Sequence, residues 1–529
     1  MEQETNKTTT ENGAGALKST MNACVDAFGR LGAMKKSPEP AIIEAFSKAF
    51  AEDRETAMRI LFYMRDVRGG QGMRRVFRVC LKWLAHYYPW LVINQLDNIL
   101  FFGRGDDYLC LLDEGAVAGE VSAWLCNQLV HDWTLYCKGM TSEMSLLAKW
   151  MPSCNTSSAT ARAYAKRLIK DWGWSEREYR ARLSKMRAAL KVVETQISAN
   201  RWDEVNYAAV PSRANLKYQK AFVKHDADRY IDHIVAATTG EAKINAAALF
   251  PVDVVHKAWL EHNDPIARRL SEALWQSLPN YLEDCDETGL CVVDTSGSMM
   301  GEPMEVALSL GLYCADKCRG PFHGKFITFS DTPVLQTIRG NDLSEKLINM
   351  SRADWAGSTN IQAVFDLILY TAMAHDTPQE DMPKKLYIIS DMQFNPYWGE
   401  DAEVSRRNMN RWCALSQRNI TTPFMSKIRA KFAAAGYEMP ALVYWNVRDS
   451  HAGMFQQTVG GENCCMVSGY SPSLFKAVID GTEIETTTTI TADKNGKLQA
   501  TTTTKQVLSP LEVMRAAVYN ERYDRVKWQ

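Results

Sequence analysis

The run Gly289-Leu290-Cys291-Val292-Val293-Asp294-Thr295-Ser296-Gly297-Ser298-Met299 decides how this chain is read, because an apolar stretch ends abruptly in a carboxylate followed by two hydroxyls spaced two apart. The pattern predicts a buried strand feeding a metal-binding turn. In an open parallel sheet, ligands collect in the crevice beyond the carboxyl ends of the strands, and Asp294-x-Ser296-x-Ser298 would lie there. One carboxylate and two hydroxyls are hard oxygen donors, as Mg²⁺ requires in a near-octahedral shell that keeps several waters. Three oxygens leave that shell incomplete, so further ligands are expected on other turns that follow strands or open helices.

Two such turns exist downstream. Trp355-Ala-Gly-Ser-Thr359-Asn360 opens a helical run at 361–374, and Leu386-Tyr-Ile-Ile-Ser390-Asp391-Met392 is a second apolar strand ending in an acid. The ordered set resembles the metal-ion-dependent adhesion site of von Willebrand factor A domains. That resemblance implies that Ser296, Ser298 and Thr359 coordinate a divalent ion, Mg²⁺ or another such as Mn²⁺, with Asp294 and Asp391 binding it directly or through water. A serine-nucleophile reading of the same turn is weaker: it lacks the G-x-S-x-G elbow, and nothing singles out a base among the nine histidines.

At 529 residues the chain has room for two or more domains. Its 46% hydrophobic and 23% charged content is ordinary for a globular protein. The net charge of −1 means that any nucleic-acid surface must arise from local segregation of charge. Thirteen cysteines are scattered without a C-x₂-C pair, several of them inside apolar runs, as Cys80, Cys110, Cys126 and Cys291 are. This is the usage of buried reduced thiols and predicts a cytoplasmic setting. No signal-like N-terminus and no long apolar stretch supports secretion or a membrane partner.

Residues 1–16 are polar and are expected to be a disordered tail. From 17 to 280 apolar residues recur at three and four, predicting helices at 39–50, 56–65, 72–87, 116–137, 143–150, 160–173, 176–198, 214–238 and 251–278. Successive helices without strands suggest a HEAT-like helical repeat. The acidic stretch 283–287 marks the passage to a second domain, 281–529, where strand and helix alternate as in a doubly wound α/β fold. Strands are expected at 290–293, 325–329, 385–389, 441–445 and 464–468, and helices at 303–318, 342–350, 361–374, 422–435 and 472–479. One insertion, 481–506, carries two threonine runs on either side of Asn495-Gly496 and reads as a β-hairpin.

Six motifs occur in order: Arg65-Asp66-Val67-Arg68-Gly69-Gly70-Gln71-Gly72, Gly103-Arg104-Gly105-Asp106-Asp107, Lys149-Trp150-Met151-Pro152-Ser153, Val210-Pro211-Ser212, Asp294-Thr295-Ser296-Gly297-Ser298 and Ser390-Asp391-Met392-Gln393-Phe394. Together they resemble the domain-of-unknown-function 2828 family of plants, viruses and phages. The layout is similar in turn to the TROVE proteins, such as the Ro autoantigen. In those proteins a ring of HEAT-like helices is closed by a von Willebrand A domain and receives single-stranded ends of structured RNA.

Charge segregation agrees with that implication. Residues 151–224 hold fifteen Lys or Arg against six Asp or Glu. Arg177, Arg180, Arg182, Lys185 and Arg187 crowd one helix among Tyr164, Trp172, Trp174, Tyr179, Trp202 and Tyr207, whose rings could stack unpaired bases. Arg65 and Arg68, in a glycine-rich turn suited to a phosphate, are further candidates, although an Arg-Asp pair bracing a helix junction is the plainer and better account of that turn. The expected function is a non-enzymatic RNA- or ribonucleoprotein-binding protein with a metal-ion-dependent adhesion site. The alternative is a metal-dependent protein–protein adaptor that takes an acidic residue of its partner and no RNA.

Overall fold

The computed structural model describes residues 6–283, 288–329, 333–351, 359–395, 422–449, 455–456, 463–492 and 498–529. The acidic stretch beyond Glu283, the Trp355 end of the Thr359 turn and the Asn495-Gly496 turn lie outside these residues. Two compact units emerge, and they do not follow a single cut in the sequence. An α/β unit takes Met1–Met34, Phe250–His262 and Pro279–Asn520, while a helical unit takes Lys35–Leu249, Asn263–Leu278 and Glu521–Gln529.

The helical unit holds no strand among its described residues. Three of the long periodic runs are each broken in two. Lys191, at φ 49°, separates helix Glu176–Ala189 from Val193–Ser198. Asp226, at φ −151°, separates Ser212–His225 from Ala227–Thr238. Asp264 accepts from the amides of Ile266 and Ala267 ahead of Pro265, starting helix Pro265–Gln276 afresh. That last break divides the expected 251–278 helix between the units, for Pro251–Leu260 belongs to the α/β unit. Periodicity continues through these breaks because both halves have an apolar face; caps and backbone angles interrupt it.

In the α/β unit the N-terminal segment is not a tail. Strands β1 (Lys7–Thr9) and β2 (Gly15–Leu17) pair antiparallel. Thr10 Oγ1 donates to the Phe394 carbonyl at 2.8 Å, and Leu17 N to the Phe455 carbonyl at 2.8 Å. Local composition is too polar to fold alone, but backbone donors and hydroxyls find acceptors on the second half of the chain.

The main sheet has six strands: β3 (Gly289–Val293), β4 (Lys325–Thr328), β5 (Leu335–Thr337), β6 (Lys385–Ser390), β7 (Ala441–Asn446) and β8 (Cys464–Ser468). Their order is β5-β4-β3-β6-β7-β8, all parallel except β5, an antiparallel edge that sequence alternation did not reveal. Strands β6, β7 and β8 are buried at every position, so they read as continuous apolar runs. Leu290, Val292, Leu386, Ile388, Leu442 and Tyr444 pack on helices Ile361–Ala374 and Thr422–Ala434 through Phe365, Leu369, Ile428 and Phe432. On the other face, Tyr387 and Trp445 meet Phe475 of helix Ser473–Asp480. Helix Glu302–Lys317 comes so close to β3 that a Cβ on Gly311 would lie 2.4 Å from Val293 Cγ2. Helices thus cover both faces. Cys80, Cys110, Cys126 and Cys291 are free thiols, and burial pushes Cys110 up to about 12, leaving it an apolar group at neutral pH.

Strands β9 (Thr482–Ala492) and β10 (Leu498–Leu508) form the expected hairpin, with Thr486–Thr489 opposite Thr501–Thr504 in register. They constitute a separate two-stranded sheet. The base is anchored by buried Leu508, whose amide donates to Asn463 Oδ1 at 3.3 Å. A two-stranded ribbon adds little stability by itself. Deleting 484–505 is expected to leave the remaining protein folded, with a melting temperature within about 5 °C of the parent by circular dichroism. Aggregation or a larger drop would show that the threonine faces pack on the body.

Candidate functional site

Strand β3 lies between β4 and β6, so the chain leaves it first to one side and then returns to the other. The crevice at the carboxyl ends of β3 and β6 is therefore the topological switch point of the sheet. Asp294 is fully buried there, its amide donating to Ile389 O at 3.0 Å. Its Oδ1 accepts from Ser296 N at 2.9 Å and its Oδ2 from Ser390 Oγ at 2.5 Å. Ser296 Oγ and Ser298 Oγ stand 3.1 Å apart, and the Ser298 hydroxyl bonds Asp391. Asp391 Oδ1 also accepts from Gln393 N at 3.2 Å. Four of the five expected ligands thus share one polar crevice.

Thr359, 2% exposed, precedes helix Ile361–Ala374, which Asn360 caps through Ala363 N. Its carbonyl accepts from Asn395 N at 3.3 Å, four residues beyond Asp391, so backbone contact ties the two loops together.

Three features of the crevice escaped the sequence reading. Ser390 links the two strands through Asp294. Met392 is buried at φ 65°, a left-handed conformation uncommon outside glycine, and donates its amide to Ser390 Oγ at 3.1 Å. Arg448, two residues past β7, donates from Nη1 to the Ser298 carbonyl. Only its position just after a third parallel strand could have signalled it. The N-terminal hairpin braces the same loop, with Glu11 N donating to Gln393 Oε1 at 2.5 Å.

Burial raises Asp294 above the usual carboxylate range, against hydrogen bonds from Ser390 and Ser296. Burial also raises Asp391, and the charge of Asp294 pushes it further; Ser298, Gln393 N and Arg448 oppose the shift. Among the described residues neither carboxylate forms an ion pair with a lysine or arginine. Thr295 Oγ1 is buried without a partner beside them. Among the described residues no group of three or more His, Cys, Asp or Glu is placed to hold a metal ion together. The donor set is two mutually repelling carboxylates and serine hydroxyls, which fits a hard divalent cation rather than a soft transition metal.

The basic candidates separate sharply. Arg65 is 1% exposed and paired to Asp107 through Nε at 2.8 Å and Nη2 at 2.7 Å, so it is a structural residue and not a nucleic-acid contact. Arg187 is likewise committed: Nε donates to Ala148 O at 2.9 Å, Nη1 to Ser153 Oγ at 2.9 Å and Nη2 to Met151 O at 2.7 Å. Arg182 lies over Trp174 at 4.3 Å and Trp133 at 5.7 Å, and Lys185 over Trp133 at 5.8 Å. Arg177 is exposed, as is Arg180, which is 3.8 Å from Glu176. Arg68 is exposed and donates to Phe101 O at 3.0 Å. Of the aromatics, Tyr179 and Tyr207 are core, their hydroxyls donating to Pro152 O and Asp226 Oδ2 at 2.8 Å.

The Arg65 to Gly72 turn is a structural knot. Asp66 is fully buried and accepts from Arg522 Nη2 at 2.8 Å, Tyr523 OH at 3.1 Å and Arg68 N at 3.0 Å, which fastens the C-terminal segment of the unit. Gly70 has no room for a side chain, since a Cβ would lie 2.0 Å from Tyr63 O.

A helical unit joined in sequence to an α/β unit with a carboxylate-and-hydroxyl crevice at its switch point is the class of protein these features define. The chain belongs to the DUF2828 family: residues 10–101 and 116–287 match that domain of unknown function. Residues 288–518 match a second one, DUF7788. The chain is also 30% identical over 509 residues to uncharacterized protein L728 of Acanthamoeba polyphaga mimivirus, covering 90% of this chain and 85% of the viral one. No helix among the described residues is long and apolar enough to cross a membrane.

Two outcomes are expected. A carboxyl whose native pKa lies above its unfolded value holds its proton more tightly when folded. Its stabilising contribution is therefore present at acid pH and lost as pH rises through the native pKa. With chelator present, Asp391→Asn should melt above wild type near about pH 7 and lose that advantage as pH falls through the raised native pKa. A difference constant across the titration would assign the effect elsewhere. In the helical unit, Asp66→Ala should cost about 3–5 kcal/mol in urea unfolding, and Arg68→Ala less than about 1 kcal/mol.

Proposed function

We propose that this chain is a non-enzymatic binding protein in which a von Willebrand factor A-type unit with a metal-ion-dependent adhesion site accompanies a HEAT-like helical body, and that its ligand is RNA or a ribonucleoprotein. The observation that carries the metal half is the pair of buried carboxylates, Asp294 and Asp391, joined to Ser296 and Ser298 at the switch point. Ser296, Ser298 and Thr359 would hold Mg²⁺ or Mn²⁺, with Asp294 and Asp391 as direct or water-mediated ligands. A bound divalent ion would supply a positive contact for a hard oxygen of the partner. Among the described residues no histidine bonds either serine, which favours ligands over a nucleophile–base pair.

The RNA half rests on the surplus of cations in 151–224, of which Arg177, Arg180 and Lys185 are exposed, and on the TROVE-like layout. Single-stranded ends of structured RNA are the form that the half-buried rings of Tyr164, Trp174 and Trp202 beside cations would favour. The commitment of Arg65 and Arg187 to internal partners favours the second reading, a metal-dependent adaptor for an acidic protein ligand. Free buried thiols accord with a reducing, cytoplasmic setting.

Calorimetric titration with Mn²⁺ is expected to show one site, lost in Asp294→Ala; equal binding by the variant would remove the metal assignment. Filter binding with a single-stranded tail on a hairpin is expected to weaken as salt rises, and Asp294→Ala should bind RNA nearly as well as wild type. Affinity no tighter than tens of micromolar at low salt would leave the adaptor reading in its place.

A further inference from the structure

The helical unit gathers five arginines around two carboxylates. Asp107, fully buried, is taken by Arg65 and by Arg78 Nε at 2.8 Å. Asp106 Oδ2 takes Arg78 Nη2 at 3.0 Å and Arg74 Nη1 at a looser 3.5 Å. Arg104 makes no ion pair among the described residues. Its guanidinium sits over the Trp150 ring instead, 4.7 Å from the centroid, with Lys149 Nζ 5.5 Å from the same ring. The charges that act on it are those of Arg65, Asp106, Arg74 and Arg213. Two carboxylates are matched by Arg65 and Arg78, which leaves Arg74, held only loosely, and Arg104 beside a half-buried indole.

This arrangement is built rather than incidental. Gly105 packs on the indole so tightly that a Cβ would lie 2.9 Å from Trp150 Cβ and 2.9 Å from Leu147 Cδ1, which fixes the backbone next to Arg104. Asp106 Oδ1 is buried, so it does not meet an anion arriving from solvent. Burial, and then the charge of Arg65, lower the Arg104 guanidinium from its ordinary value, and an oxyanion at that position would relieve both. A planar guanidinium matches the paired oxygens of a phosphate, and seating it over an aromatic ring limits the entropy lost on binding.

We infer that Arg104 and Arg74, with Trp150 as the platform, form a phosphate-binding site that takes a phosphodiester group of single-stranded RNA. The inference rests on the RNA reading and adds this cluster to the exposed cations of the helix Glu176–Ala189. The stretch 101–150 is acidic overall, with seven Asp or Glu against three Lys or Arg. Charge counting along the sequence therefore passes over it, whereas the fold brings Arg65, Arg74, Arg78 and Arg213 in from outside.

The test is fluorescence anisotropy with the full chain and a labelled single strand of about twelve nucleotides at several salt concentrations, with pyrophosphate as a separate titrant followed by tryptophan emission. Arg104→Gln and Arg74→Gln are expected to weaken RNA binding about tenfold each, and to reduce the salt slope by about one for each phosphate that is no longer neutralised. Arg104→Lys should recover part of the affinity, because it restores charge without the fork. Lys48→Gln, at an exposed lysine of the same unit outside both cation clusters, should change affinity little. Melting curves check folding; Arg74 is 52% exposed, so its variant decides the matter if Arg104→Gln does not fold. If wild type binds RNA and neither Arg74→Gln nor a folded Arg104→Gln alters it, the site is wrong and the RNA reading stands. If wild type ignores RNA but binds pyrophosphate in an Arg104-dependent way, the RNA reading fails and the site belongs to a small phosphate ligand. Binding of neither overturns both.

Discussion

The hydrogen bond from Ser390 Oγ to Asp294 Oδ2, buried between the ends of two adjacent parallel strands, is the contact on which the α/β unit's polar chemistry depends. Strand β3 supplies the carboxylate and β6 the hydroxyl, and the backbone bond from Asp294 N to Ile389 O keeps them in step. Desolvation there is expensive for a carboxylate, and the surroundings supply hydroxyls and amides rather than a salt bridge. The crevice thereby keeps two carboxylates close together, with the charge of Arg448 acting on Asp391. Met392 holds a left-handed backbone beside it, and strain of that sort persists only where neighbouring contacts over-determine it.

A second buried-carboxylate arrangement organises the helical unit in the opposite way. Asp66 and Asp107 are both inaccessible to solvent, and each is satisfied by an amide of its own turn and by arginine side chains from elsewhere in the sequence. Three of the sequence motifs converge through these residues: the glycine turn after Arg65, the Gly103 to Asp107 turn, and Trp150 under Arg104. Their glycines serve close approach, since Gly70 and Gly103 would each place a Cβ within 2.5 Å of a neighbouring atom. One unit thus pairs its buried acids with arginines, while the other surrounds them with hydroxyls and amides.

Much of the α/β unit was legible beforehand. Its five parallel strands are continuous apolar runs ended by turn residues, and every one was placed within a residue or two. Asp294, Ser296, Ser298 and Asp391 could be chosen because each follows a strand or lies in the turn that does, and strand ends are where an open sheet gathers ligands. The antiparallel edge Leu335–Thr337 was not legible, being two half-exposed residues and an exposed one without a pattern. The basic residues misled for a related reason: a count of charges along the chain does not distinguish Arg187, bonded to three groups of one loop, from Arg177 on the surface.

By itself the sequence determined the alternation of apolar runs and breakers, and through it the helical half, the parallel sheet, the threonine hairpin and the order of the turns at Asp294, Thr359 and Asp391. These are local consequences of side-chain periodicity and turn chemistry. Tertiary structure alone decided which unit each segment joined, that residues 6–19 brace the Asp391 loop, and that Glu521–Gln529 closes on Asp66 in the helical unit. It also decided which arginines are matched by carboxylates. Such contacts join residues hundreds of positions apart through burial and hydrogen-bond satisfaction, and neither quantity is written in the spacing of residues along the chain.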